Sequence, residues 1–167
     1  MRIIGICGTH HQPFDRLVAA LDALAAAEDV EVWIQHGAAA PPRRAAGAAL
    51  VAREELACRI AEGDVVVCHG GPGAIWDALG MRKPTVVVPR MRSHGEHVDD
   101  HQVAFARHLG RHGWVVVVEN VHDLAGAIER AVGLPAYEIS SQANEAVARI
   151  AAHLDALVAN NRRRCAP

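Results

Sequence analysis

Two short β-branched runs bracket a cluster of glycines, and that arrangement narrows the fold more than any other stretch of the chain. Val65–Cys68 is apolar and too short for a helix, so it reads as a buried strand. His69-Gly70-Gly71-Pro72-Gly73 follows, and Ala74–Met81 then carries Ile75, Ala78 and Leu79 on one helical face. Lys83-Pro84 ends that helix, and Thr85–Pro89 begins a second strand. Strand, glycine turn, helix, strand is a βαβ unit. Its turn suits an anion, because glycine lets the backbone approach closely and the free N–H groups at the helix start point at a phosphate. A tight turn that binds nothing would need the same glycines. The next stretch, Arg90–Gln102, is dense in His, Arg, Glu, Asp and Gln. Ligands of open α/β sheets sit at the carboxyl ends of strands, so a phosphate cradle and a polar loop are expected at one rim. A diphosphate carrying a sugar would use both.

The rest of the chain repeats the alternation. Arg2–Cys7, Val30–Gln35 and Trp114–Glu119 read as further strands, and Gly47–Val51 as a short edge strand. Helices are expected after Asp15, a candidate cap, and over Arg53–Ala61, Val98–His112, His122–Val132 and Ser140–Ala159. Ala38–Ala46 reads as a mobile loop. The expected class is α/β, a doubly wound, mostly parallel sheet, with residues 1–167 as one domain. With 51% hydrophobic but only 4% aromatic residues, alanine and valine must do the packing. The net charge of −2 provides no basic field for nucleic acid. Cys7, Cys58, Cys68 and Cys165 show no CxxC spacing and are expected to be reduced, in a cytoplasmic setting. No signal peptide and no apolar run near the ~20 residues of a membrane helix are read.

HGGPGAIWDALGMRKPTVVVP with the later HGEHVDDHQ, together with Gly8-Thr9-His10 and Gln35-His36-Gly37, resembles the donor-binding half of glycosyltransferase family 28. The resemblance covers most of the chain and implies the Rossmann-like half of a GT-B enzyme. It is nearest to small subunits of two-component transferases, those of exopolysaccharide synthesis and of the dolichol pathway. It implies that Gly70, Gly71, Gly73 and Ala74 hold a donor diphosphate, with Gly8 and Thr9 nearby; His69, directly before the glycines, and His10, in the first loop, are expected near the ligand from their positions. It further implies Asp77 on the ribose, one methylene shorter than the Glu usual in the family. Asp99, His101 and Gln102 would contact the sugar, with His94 and Glu96 in the loop before them. The implied activity is inverting transfer from a UDP-sugar to a lipid-linked or polysaccharide acceptor. The general base would then lie on a membrane-attached, acceptor-binding partner, leaving this chain peripheral to the inner membrane face and self-associating when isolated. A nucleotide-sugar-binding module without transfer activity is the alternative.

Eleven histidines raise a different possibility. His94, His97 and His101 have ligand-like spacing beside Glu96 and Asp99, which a metal hydrolase could use. The resemblance implies no metal and no cofactor. Arg90 and Arg92 could serve the diphosphate, a partner or only solvent, and Trp76 a core or an interface.

Overall fold

The computed structural model describes residues 1–135, which fall in the first of two compact units, Met1–Tyr137 and Glu138–Pro167. The helix expected over Ser140–Ala159 lies outside the described residues.

Strands β1 (Arg2–Ile6), β2 (Glu31–Gln35), β3 (Ala46–Ala48), β4 (Val65–His69), β5 (Thr85–Val88) and β6 (Val116–Val117) form one sheet. Its order is β3-β2-β1-β4-β5-β6, and every pairing is parallel. Helices α1 (Asp15–Leu24), α2 (Arg53–Glu62), α3 (Pro72–Gly80), α4 (His101–Arg111) and α5 (Leu124–Gly133) connect and cover it. Two single 3-10 turns, Arg92–His94 and Val121–Asp123, precede α4 and α5.

Side chains alternate across the sheet with a period of two, and both faces are buried, which is why the strands read as unbroken apolar runs. Val65 and Val67 join Leu17, Leu21, Ala127 and Ile128 in a core under α1 and α5. Val66 and Cys68 join Ile60, Ile75, Leu79 and Leu109 in a core under α2, α3 and α4. From β1 the chain winds outward to β2 and β3, then crosses back to β4 and winds the other way. Strand order therefore reverses between β1 and β4, and a crevice opens there at their carboxyl ends.

Several boundaries differ from expectation. α3 begins at Pro72, since a proline is well placed in a first helical turn. α4 begins at His101, three residues after the Val98 expected, and Asp99 and Asp100 form bends before it. β6 is shorter than Trp114–Glu119. Trp114 lies before it, its ring 6.0 Å from that of the half-exposed Trp76. Asp15 does not cap α1; Phe14 occupies that position and Asp15 accepts from the Ala40 N–H instead.

The end of the Ala38–Ala46 stretch is tethered. Asp22 Oδ1 accepts from the N–H groups of Arg43, Arg44 and Ala45 at 3.0, 2.7 and 2.8 Å, just before β3. Burial pushes the Asp22 pKa up, but the three backbone donors outweigh it and hold the carboxyl below its usual value. A depressed folded pKa means stability that is present above the unfolded value and lost as pH falls through the folded one. Asp22→Ala is expected to cost about 1–3 kcal/mol in urea unfolding at neutral pH, because it strands three donors. The variant should also lose the part of the acid-side stability decline that belongs to this carboxyl.

Candidate functional site

The β1/β4 crevice is a cavity of about 710 Å³. Gly8, Thr9, His10 and His11 line it from the loop after β1, and His69, Gly71, Gly73 and Ala74 from the turn after β4. Asp77 and Gln102 complete the polar side, and Leu50, Val51 and Leu56 form an apolar wall. The two loops that meet are thus those after β1 and β4. Of the stretch Arg90–Gln102, which the sequence reading placed here, only Gln102, in the first turn of α4, lines the cavity.

No side chain caps α3. Its first N–H groups have no intrahelical partner, and Pro72 has none to offer, so the Gly73 and Ala74 amides are the free donors at the cavity. Asp77 lies one turn beyond Gly73, where i and i+4 share a face; Arg53 approaches its Oδ1 at 3.5 Å.

The glycines divide their work. A Cβ on Gly71 would overlap the His69 ring, and one on Gly70 would lie 2.8 Å from Gln102 Cβ. Gly8 has φ +83° and would bring a Cβ within 2.5 Å of His69 Nε2. These three make room for neighbouring side chains. Gly73 has nothing within 4 Å of a built Cβ, so the open space lies there.

His69 and His10 are held alike. Nδ1 of His69 accepts the Gly71 N–H at 3.0 Å, and Nδ1 of His10 accepts the Gln12 N–H at 3.2 Å. Burial, aided by the Arg90 charge and opposed by Gln102, pushes the His69 pKa down to about 4. Burial first, then His97, His11 and Arg90, also lowers that of His10. With Nδ1 accepting, each neutral ring carries its proton on Nε2.

Gln102 is a clamp. Its Oε1 accepts from the Gly70 N–H at 3.0 Å and the Arg90 N–H at 3.1 Å, which orients the amide and leaves Nε2 as the group it can offer. Gln35 does similar work from the end of β2. It accepts from the Gly8 N–H at 3.3 Å and donates to the carbonyls of Gly8 and Ala49. Sequence reasoning missed Gln35 as a wall residue; a polar side chain ending a buried strand was the available signal.

The other residues expected at the site lie elsewhere. Glu96 is buried, pairs with Arg16 through both oxygens at 2.7 and 3.1 Å, and accepts from the Met91 N–H. Arg90 is fully buried and donates to the carbonyls of Cys7, Gln12 and Glu96, so neither diphosphate, partner nor solvent claims it. Gly70 packs under Gln102. His94 is exposed in the first 3-10 turn, and Asp99 and His101 are exposed outside the cavity lining.

A larger depression of about 1010 Å³ lies between α4, β6 and α5. Its Arg107 and Glu119 satisfy each other through two hydrogen bonds at 2.6 and 2.7 Å. It lies two strands from the reversal point, and its one facing ion pair is already satisfied, so the β1/β4 cavity is the stronger candidate.

Two outcomes check this geometry. Arg90→Lys keeps the charge but loses the planar fork, and should lower the unfolding midpoint by roughly 10 °C, about 3 kcal/mol. His69 is neutral when folded yet titrates near 6.5 when unfolded, so the unfolded chain binds the extra proton between those values. Stability should therefore fall on acidification from about pH 6.5 to 4, by about 3 kcal/mol for this group, and His69→Gln should flatten that limb.

The sequence profile of the glycosyltransferase family 28 C-terminal domain matches residues 3–155. Among solved structures, the glycotransferase of kitacinnamycin superposes with TM-score 0.60 at 21% identity, covering 78% of this chain and 34% of that one. CalG4, the calicheamicin glycosyltransferase, superposes with TM-score 0.62 at 16% identity, covering 99% and 44%. Acinetobacter baumannii MurG superposes with TM-score 0.51 at 21% identity, covering 78% and 43%. At such identities the likeness is one of fold, that of a Rossmann-like GT-B half, and this chain spans less than half of each. No curated protein matches it. A profile match over nearly the whole chain, on a parallel sheet that folds like half of a glycosyltransferase, places the protein in the glycosyltransferase family 28 C-terminal domain family.

Proposed function

We propose that this chain is the UDP-sugar-binding subunit of a two-component, inverting glycosyltransferase acting on a lipid-linked or polysaccharide acceptor. The observation that carries the reading is the uncapped start of α3, which opens on free space at Gly73 inside the β1/β4 cavity. A diphosphate set there meets the Gly73 and Ala74 amides and the positive end of the helix dipole. As the glycosidic bond breaks, charge builds on the diphosphate, and donors already in place stabilise it without a metal ion. Asp77 accepts from the ribose hydroxyls, and the base packs on Leu50, Val51 and Leu56. At the sugar end the Gln102 amide can only donate, because its oxygen is occupied. Asp99 and His101 do not enter this reading.

The base that takes the acceptor proton is assigned to a membrane-attached partner. His10 and His69 support this, since each spends Nδ1 on a backbone N–H and neither presents a free lone pair when neutral. The described residues contain no helix long and apolar enough to cross a membrane. The same cavity also fits a binding module without transfer activity, and co-expression with an acceptor-binding chain separates the two by whether sugar is transferred.

Calorimetry with UDP in EDTA should show binding. Gly73→Leu should weaken it tenfold or more while leaving the unfolding midpoint intact, since its Cβ meets nothing in the folded chain. Gln102→Glu keeps the accepting oxygen but removes the amide donors. It should reduce the affinity ratio of UDP-sugar to UDP by about 1–3 kcal/mol. No heat with UDP, UDP-glucose, UDP-GlcNAc and UDP-glucuronate would overturn the reading.

A further inference from the structure

His97, Asp99 and His101 remain unused by the reading above, although the chain draws them together just before and at the start of α4. We infer that these three side chains form a site for one divalent transition ion of the zinc class, separate from the diphosphate cradle. One ligating atom from each lies within 4.8 Å of the others. Nδ1 of both histidines converges on the same oxygen, Asp99 Oδ1; the His101 ring is hydrogen-bonded to it and the His97 nitrogen stands 3.4 Å away.

Two features favour an ion over a plain hydrogen-bonded cluster. His97 is nearly buried, its side chain 11% exposed, yet its Nδ1 has no hydrogen bond. A buried polar nitrogen without a partner is costly, and a coordination bond removes that cost. The spacing also suits. Tetrahedral bonds of about 2.0–2.1 Å put ligating atoms about 3.3 Å apart, close to the His97–Asp99 separation, and a small opening of the Asp99–His101 contact completes the set.

Two imidazoles and one carboxylate make a donor set that zinc, cobalt and manganese share. Three protein ligands leave a fourth position open. The His10 ring, which borders the cavity, lies 4.6 Å from that of His97 and stands beside it. His94 takes no part, in contrast to the triad suggested by spacing alone, and Asp100 spends its carboxylate on the Arg92 N–H.

The test uses the full, untagged chain, stripped with chelator and titrated with Co²⁺. Visible d–d absorption should saturate at one ion per chain, and Zn²⁺ should displace it. Asp99→Asn and His101→Ala are exposed changes that should leave the unfolding midpoint in place and weaken Co²⁺ by about 100-fold or more. His108→Ala with His112→Ala removes another close histidine pair, at the C-terminal end of α4, and should leave the bands unchanged. Absence of a saturable band would overturn the assignment, as would its loss only in the His108/His112 variant. A drop in UDP-sugar affinity for Asp99→Asn or His101→Ala with Co²⁺ binding unaltered would also overturn it, making these residues a sugar contact. UDP binding in EDTA does not depend on this site, so either proposal can fail alone.

Discussion

A guanidinium with no water contact sits beneath the carboxyl ends of the sheet, and the loops that shape the cavity depend on it. Arg90 donates to Cys7 O at 2.8 Å, to Gln12 O at 2.8 Å and to Glu96 O at 3.0 Å, and stacks 4.6 Å from the centre of the Phe14 ring. Burying such a charge costs several kcal/mol unless directed acceptors replace its hydration; these carbonyls do so for Nη1 and Nη2, while Nε has no hydrogen-bond partner. One residue therefore joins the end of β1, the loop that carries His10, and the loop between β5 and α4. Arg16 adds a second link through Glu96 and the carbonyls of Pro89 and Glu119. Its side chain also lies on Phe14.

That arrangement explains what could and could not be read from the residues alone. The βαβ unit was legible because Val65–Cys68 and Thr85–Val88 are β-branched runs of strand length and the glycines between them are dense. The doubly wound sheet followed from the alternation. The polar loop Arg90–Gln102 was legible as important but not in its role. Charge in a loop ordinarily means solvent or ligand, and nothing in local spacing reveals that Arg90 and Glu96 turn inward to carbonyls and a guanidinium contributed by residues about eighty positions away. The Ala38–Ala46 loop misled for the same reason, since its tether is the side chain of Asp22 on another element.

The glycine turn shows how packing and ligand space are interleaved. Gly8, Gly70 and Gly71 admit the His69 ring and the Gln102 stem, which in turn hold the loops in register. Of the glycines around this turn, Gly73 alone faces open volume. A motif that looks uniform in sequence is thus mostly internal fit, with one position left for what binds.

Among the described residues, no Arg or Lys lines the cavity. Its polar donors include backbone amides, an oriented carboxamide and two imidazoles whose protons are fixed on Nε2 by the N–H groups they accept. Neutral donors act through direction and short range, whereas clustered cations act through a field that mobile ions screen. Occupancy of such a cradle would therefore vary little with ionic strength, and its selectivity would come from where the oxygens of a ligand lie rather than from how much charge the ligand carries.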